Sequence, residues 1–345
     1  MAKKTTLAIV IALLTFFLIV PFLSYRSFKS AIKKEIFNHL ITARDLLKHE
    51  IWNYFNNRYG DIDVLSRNPV IAKGFTRLSG AFNAYGLDNP QFLEIKSIYQ
   101  PLMEYYIADY GYSNIFFIDK DGSVIYSALS EDFSGTDLFV GKFKEHRIAL
   151  MFKQALKDVS FGDYSWNDKV NDYTTYFAAP VFESESLMGV IVIELPFAHL
   201  DTILTQRAGM GKTGEEYLVG EDGLMRSNSR FSTKPTILKQ EVDTEATREA
   251  FDGYVGTKII KDYRGVSVLS AYTPLNLNFI NWALLVEIDE AEAFAPIYDV
   301  EIKLKIIASV ISTITIGYIY FTYRAYKKKE EEEHNIIESE EQPVS

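Results

Sequence analysis

The sequence of 345 residues contains no cysteine, and its formal net charge is −10. The missing cysteine excludes disulfide bonds, thiolate metal sites and a cysteine nucleophile. The acidic balance argues against nucleic acid as a partner, because binding to a phosphate backbone depends on lysine and arginine. Wholesale disorder is excluded as well, since 48% of the residues are hydrophobic and 14% are aromatic.

Motifs of catalysis and metal binding are also scarce. The five histidines have no metal-ligand spacing, and there is no GxSxG nucleophile motif. The string GMGKT at 209–213 is similar to part of a phosphate-binding loop, but Gln206 stands where that loop needs glycine, which favours an inter-module turn. DKDG at 119–122 is similar to the start of a calcium loop but lacks the later acidic ligands, which favours a hairpin turn. We expect neither an enzyme nor a bound cofactor.

Two charge-free apolar runs lie near the ends of the chain, at 7–23 and 306–323. Each has about the length of a membrane-spanning helix. No A-x-A cleavage site follows the first run, so we predict an uncleaved anchor instead of a signal peptide. Arg324 and Lys327–Lys329 follow the second run, which by the positive-inside rule predicts that this end is cytoplasmic. We therefore predict a two-pass protein of the bacterial inner (cell) membrane, with both termini cytoplasmic and the region between the anchors extracytoplasmic.

A long helix is predicted directly after the first run. Apolar residues recur at helical spacing over 27–66, and Asn68-Pro69 ends the pattern. A second face of this helix, which includes Trp52, is also apolar. We therefore predict a signalling helix over 25–68 that packs on its own domain and forms a homodimer contact.

One hairpin pattern occurs twice, as FFIDKDGSVIYS at 116–127 and as YLVGEDGLMRSNS at 217–229. In each case an apolar strand leads through an Asp-Gly turn into a second short strand. A helical stretch and three further strands follow each hairpin. The predicted fold class is α+β, with the long N-terminal helix and two tandem PAS-like modules, each an antiparallel five-stranded sheet, flanked by two transmembrane helices.

The predicted domains follow one another along the chain. They are a cytoplasmic start with the first transmembrane helix at 1–24, the long helix at 25–68, a first module at 69–200, a second module at 201–303, the second transmembrane helix at 304–323 and a short charged cytoplasmic tail at 324–345.

Three stretches of this chain resemble the double Cache sensor domain of bacterial chemoreceptors, sensor histidine kinases and cyclases. They are EIWNYFNNRYGDIDVLSRNP in the long helix, GMGKTGEEYLVGEDGLMRSNSRF at 209–231, and DYRGVSVLSAYTPL with the following WALLVEIDEAEAFAPI. The resemblance extends over about residues 5–325. It implies an extracytoplasmic small-molecule sensor whose first module is membrane-distal and holds the ligand, while the membrane-proximal second module passes on the change.

The resemblance also implies where a ligand would bind. In amino-acid-binding members of the family, an Arg-x-Trp-Tyr element grips the carboxylate, and an aromatic-x-Asp strand with a late acidic residue holds the amine. The stretch DLFVGKF at 137–143 occupies the place of the first element without its Arg and Trp, and Glu194 occupies the place of the late acidic residue. The expected ligand is an amine, another carboxylate or a polar molecule stacked on aromatic rings. The predicted ligand-binding residues are Tyr126, Lys142, Phe143, Asp163, Tyr164, Tyr176 and Glu194.

Two further expectations concern the second module and the tail. Arg226, Ser227, Asn228 and Arg230 crowd one strand end, where we expect hydrogen bonds and ion pairs that stiffen the module, with anion binding as the alternative. The charged tail has no room for an output domain, so we expect a sensor that signals through a separate protein. A non-signalling binding or scaffold protein and a truncated chemoreceptor or histidine-kinase relic stay open as alternatives.

Overall fold

The computed structural model describes residues 2–129, 133–141, 143–168, 171–205 and 209–340. These residues belong to two compact units. A terminal unit consists of Met1–Asn38 and Ala291–Ser345, and a central unit consists of His39–Glu290. The first predicted module, 69–200, lies in the central unit, as does 201–290 of the second, while 291–303 belongs to the terminal unit.

The helices of the described chain follow from recognisable start signals. Asn68 and Asn89 each accept a hydrogen bond from the backbone amide two residues on, at 2.8 and 2.9 Å, and each precedes a proline at the first helical position. This combination fixes a helix start, because the asparagine satisfies an amide and proline needs none there. The helices are α1 (Ala2–Ser66), α2 (Pro69–Tyr85), α3 (Pro90–Tyr110), α4 (Arg147–Ala155), α5 (Ala198–Leu204), α6 (Glu245–Phe251), α7 (Glu290–Ala293) and α8 (Ala295–Glu340).

The strands form two antiparallel sheets, one in each module. The strands are β1 (Asn114–Asp119), β2 (Val124–Ser127), β3 (Ser160–Asn167), β4 (Asp172–Glu183), β5 (Ser186–Pro196), β6 (Glu215–Gly220), β7 (Gly256–Lys261), β8 (Ser267–Leu277) and β9 (Ile280–Asp289). The first sheet has five strands, as predicted, and their order is β2-β1-β5-β4-β3. In the second sheet the order is β6-β9-β8-β7.

The prediction of five strands is wrong for the second sheet, which has four among the described residues. After the turn, 224–229 forms only isolated bridges, one of them between Val219 and Met225. The Leu218 amide donates instead to the hydroxyl of Ser227, at 3.1 Å, and the Met225 amide donates to the Gln240 carbonyl, at 2.9 Å. The serine side chain thus takes the β6 amide that the next backbone hydrogen bond of a fifth strand would need.

Both Asp-Gly steps are tight turns, as the sequence predicted. The Gly122 amide donates to the Asp119 carbonyl at 2.8 Å, and the Gly223 amide donates to the Gly220 carbonyl at 2.9 Å. Gly122 and Gly223 have φ angles of 89° and 75°, where residues with a Cβ are strained. The turn carboxylate of Asp119 accepts a hydrogen bond from the Ser79 hydroxyl of α2, at 2.5 Å.

The first sheet has a covering layer on each face. On one face α2 packs against β1, with the rings of Phe75 and Phe117 stacked at 5.2 Å. On the other face Phe116 and Ile118 of β1 join Met151 and Phe152 of α4 in an apolar core. Residues of β1 that alternate along the strand therefore serve two different cores.

The terminal unit holds the parts of α1 and α8 that belong to the predicted anchors. The Tyr25 hydroxyl of α1 donates to Glu301 of α8 at 2.6 Å, and Lys29 lies 5.6 Å from the ring centre of Phe294. Among the described residues, one helical stretch, Ala295–Glu332, is long and apolar enough to cross a membrane. This stretch contains the second predicted anchor, while the first anchor and the two-pass topology stay predictions.

Candidate functional site

The candidate site lies on the α4 face of the first sheet, at the end of its central strand. The strand registers pair Asn114 of β1 with Glu194 of β5, and Glu194 with Tyr176 of β4. Residues directly opposite one another point to the same face of a sheet. Three neighbouring strands thus present an amide, a carboxyl and a phenol side by side.

Glu194 is the charged centre of this group, with 3% of its surface exposed. Its Oε1 accepts a hydrogen bond from Asn167 Nδ2 at 2.6 Å and from the Tyr176 hydroxyl at 3.0 Å. The Tyr176 oxygen in turn accepts from the Thr174 hydroxyl at 3.0 Å. Burial raises the pKa of Glu194, while the donors from Asn167, Thr174 and Tyr176 oppose that rise.

Aromatic rings form a wall beside Tyr176, whose hydroxyl donates to the Glu194 carboxyl group. Phe133 and Phe143 stack with their centres 4.2 Å apart. The His146 ring stands edge-on to Phe133 at 5.6 Å and to Tyr176 at 6.0 Å. Burial lowers the pKa of His146, which favours a neutral imidazole at neutral pH. An acidic group under a mostly apolar wall suits a ligand that joins a protonated amine to a hydrocarbon or aromatic part.

Of the predicted ligand-binding residues, Tyr176 and Glu194 are in contact, and Phe143 adjoins them through the ring of His146, 5.9 Å away. Tyr126 lies on the opposite face of the sheet, where its ring is 5.2 Å from that of Phe117 and its hydroxyl donates to Gln100 at 2.7 Å. Lys142 lies outside the described residues.

Asp163 and Tyr164 lie where the first module meets the second. The register of β3 shifts between Gly162 and Ser165, which aims the two residues away from Glu194. Asp163 pairs with Arg226 of the second module at 2.9 Å, and the Tyr164 ring stacks on Trp282 at 5.9 Å.

Arg226 therefore joins the two modules through ion pairs. The sequence predicted ion pairs for Arg226, but only within the second module. Its guanidinium contacts Asp163 and Asp222, both at 2.9 Å, and donates to the Leu224 carbonyl at 2.8 Å. Beside it, a cleft of about 660 Å³ lies between the modules, with Asp163, Phe279 and Trp282 on its walls.

The decisive comparison is with a sequence model of a protein family, the Cache domain, which matches residues 24–297 of this chain. The chain belongs to the Cache domain family. A search of curated proteins gave no match.

Solved domains of three bacterial chemoreceptors are similar in fold. The ligand-binding domain of the Pseudomonas fluorescens chemoreceptor CtaA, in complex with L-isoleucine, has 17% identity and a TM-score of 0.51, over 77% of this chain and 98% of that chain. The domain of Pseudomonas aeruginosa PctB, in complex with L-Arg, has 14% identity and a TM-score of 0.52, over 76% and 98%. The sensory domain of Campylobacter jejuni Tlp3 has 11% identity and a TM-score of 0.54, over 77% and 98%. At these identities the likeness establishes the fold.

Five residues of this candidate site were not predicted from the sequence: Asn114, Phe133, His146, Asn167 and Thr174. Thr174 had a signal, because it lies two residues before Tyr176 in one strand and therefore shares its face. Asn167 had none, since its contact with Glu194 depends on how β3, β4 and β5 are ordered in the sheet.

Proposed function

We propose that this Cache protein is a membrane-anchored, extracytoplasmic small-molecule sensor that binds its ligand in the first module at Glu194. The observation that carries the proposal is a buried carboxyl group that accepts a hydrogen bond from Tyr176, next to an aromatic wall, in a domain of a sensor family. A buried carboxylate is costly unless its charge is met, and Asn167 and Tyr176 meet it only on Oε1, so its Oε2 points to a ligand with a cationic group.

The ligand class we propose is a small amine with an apolar or aromatic part. Among the described residues, both hydrogen bonds to the Glu194 carboxylate reach Oε1, which leaves Oε2 for the ammonium group. Stacked rings and the neutral His146 suit the apolar part. The CtaA and PctB domains hold L-isoleucine and L-Arg, molecules that also carry an amine. A free amino acid would need a carboxylate partner, a role for which the sequence offers Lys142.

Signal transfer is proposed to run along α1 and through the second module. Leu46, Trp52 and Val64 of α1 are 61%, 41% and 68% exposed, and a second copy of the chain that covers them would give the predicted homodimer. The proposed anchors are 7–23 and 306–323, with both termini in the cytoplasm. A separate signalling protein as receiver stays a prediction.

A thermal-shift screen of the full-length protein in lipid nanodiscs tests the ligand site. Amines, amino acids, organic acids and nucleobases are added singly, and a ligand at 100 times its Kd should stabilise the fold by about 2.7 kcal/mol. We expect a primary amine to give the largest shift. The shift should disappear in Glu194→Ala and persist in Glu185→Ala, which removes an exposed glutamate from the β4–β5 turn of the same module.

Other results would change the proposed function. A ligand whose shift survives Glu194→Ala would place the binding site elsewhere. A well-folded protein without any hit would favour the scaffold or the relic alternative, and turnover of a hit would favour an enzyme.

A further inference from the structure

The second module repeats the strand register of the candidate site. In the first module Asn114, Glu194 and Tyr176 lie level on β1, β5 and β4. In the second module the corresponding strands β6, β9 and β8 bring Glu215, Glu287 and Ser270 to one level. Glu287 thus has the position in its sheet that Glu194 has in the first sheet.

The surroundings of Glu287 leave one of its oxygens without a donor. Glu287 is 2% exposed, and its Oε2 accepts a hydrogen bond from the Tyr217 hydroxyl at 2.9 Å. Ser270 faces it across the β8–β9 pair and is fully buried. Among the described residues, neither Glu287 Oε1 nor Ser270 Oγ has a partner at hydrogen-bond geometry. An ionised carboxylate with an unmet buried oxygen is costly, whereas a protonated one has a hydrogen to donate.

The charge opposite Glu287 has the same sign. Glu215 is 3% exposed and accepts hydrogen bonds from the Ser229 hydroxyl at 2.6 Å, the Tyr263 hydroxyl at 2.7 Å and the Arg230 amide at 3.0 Å. These donors reach both carboxyl oxygens of Glu215. A second buried acid beside Glu215 favours the protonated form of Glu287, because two like charges so close together repel each other.

No described cation offsets that repulsion at Glu287. Arg264 pairs with Asp262 and Asp289, both at 2.6 Å, and the Arg230 side chain donates to the Gly214 carbonyl. Burial and the nearby acids Asp262 and Glu215 raise the pKa of Glu287 to about 7, against a hydrogen bond from Tyr217. Lys258 of β7 lies level with Ser270, and its ammonium group pairs with Glu245 and Glu249 of α6. The other ionisable groups on the strands and loops around Glu287 are Glu215 and Tyr217 in β6, Arg230 in the loop after it, Asp262, Tyr263 and Arg264 before β8, Tyr272 in β8 and Asp289 in β9.

We propose that the second module contains a proton-binding site, in which Glu287 takes up a proton on Oε1 and donates it in a hydrogen bond to Ser270 Oγ. The proton comes from water and returns to it, and no other group changes its covalent state. Release of the proton places a buried negative charge on Glu287, directly opposite Glu215 on the neighbouring strand. The module therefore responds to pH independently of the ligand site at Glu194.

Infrared difference spectroscopy on the full-length protein in nanodiscs tests the site, because a protonated carboxyl group has a carbonyl band that its anion lacks. We expect this band to disappear with a midpoint near pH 7 as the pH rises. Glu287→Gln should abolish that titration, since the amide copies the neutral carboxyl group without its proton. Glu241→Gln, an exposed glutamate of the same module, is the matched control and should keep it.

Two results would overturn the proposal, and one of them needs no variant. A wild-type protein in which no carboxyl band titrates between about pH 6 and pH 8 has no such site, even if Glu287→Gln fails to fold. A titration that persists in Glu287→Gln and is lost in Glu194→Gln would assign the proton to the first module. Loss in Glu287→Gln with retention in Glu241→Gln supports the proposal.

Discussion

The central strands of the two modules place a glutamate at the same level of the sheet, but its neighbours differ. Next to Glu194, β1 supplies Asn114, a neutral side chain whose amide donates to Ser127 at 3.0 Å. Next to Glu287, β6 supplies the acid Glu215. One sheet position can therefore be a ligand site in one module and a proton site in the other, because the adjacent strand determines the charge beside it.

The donors differ as well. Glu194 receives two hydrogen bonds on Oε1 from side chains of the neighbouring strands, whereas Glu287 receives one, from Tyr217. The first arrangement supports a carboxylate and the second a carboxylic acid. Variants that remove the glutamate charge or a hydrogen-bond donor in one module, compared with matched variants in the other, test whether Glu194 and Glu287 differ in protonation.

The largest expected effect is a pH dependence that originates in the second module. The folded-state pKa of Glu287, about 7, lies above its ordinary value of 4.5, so the folded state binds the proton more tightly than the unfolded state. The contribution of Glu287 to stability should be fully present below about pH 4.5 and should fall by about 3 kcal/mol as the pH rises to about 7. Denaturation of the full-length protein at several pH values, followed by tryptophan fluorescence, measures this slope.

The matched variants decide which module causes the slope. Glu287→Gln should flatten it, while Glu194→Gln should leave most of it, because donors from three side chains oppose the rise in the pKa of Glu194. An equal slope in wild type and Glu287→Gln would remove the difference between the two glutamates.

The next largest expected effect is a loss of stability when Arg226, which forms ion pairs with both modules, is replaced. Its side chain is 5% exposed, and Arg226→Met would leave Asp163 and Asp222 without their cation. We expect a loss of about 2–3 kcal/mol, below the range for fully buried pairs because both carboxylates are partly exposed. Chemical denaturation measures it.

Arg248→Met is the control for Arg226→Met. Arg248 pairs with Asp243 on the surface, where both side chains are more than half exposed. Its loss should cost less than about 1 kcal/mol. If the two variants are equally stable, the ion pairs of Arg226 do not hold the modules together.

The sequence predicted the secondary-structure elements well, but it predicted less well which face of a sheet each side chain occupies. It predicted the long helix, both Asp-Gly turns and the five strands of the first sheet, because spacing and turn residues are local signals. It did not reveal that Tyr126 faces away from Glu194. Every residue of β1 and β2 is buried, so no polar alternation marks the two faces of these strands.

Two further differences arise from contacts that spacing does not encode. Asp163 and Tyr164 follow an irregularity in β3 that changes which face each residue occupies. The fifth strand of the second sheet is absent among the described residues because Ser227 takes the Leu218 amide. Glu194 was predictable through the family resemblance. The role proposed for Glu287 depends on the register of β9 with β6 and β8, which the sequence alone does not show.

The smallest expected effect is a difference in stability between two variants of buried tyrosines in the first module. Tyr176 lies at the candidate site around Glu194, and Tyr164 lies at the contact with the second module. Tyr176→Phe removes a donor to Glu194 and an acceptor for Thr174, and we expect it to cost about 1 kcal/mol. Tyr164→Phe should cost nothing, because its hydroxyl is buried without a hydrogen-bond partner among the described residues. Denaturation curves of both variants measure the difference. Tyr176→Phe should also raise the pKa of Glu194 further, since a donor to the anion is lost. An equal cost for the two variants would mean that a buried water meets the Tyr164 hydroxyl, and the contact between the modules would then be a polar one.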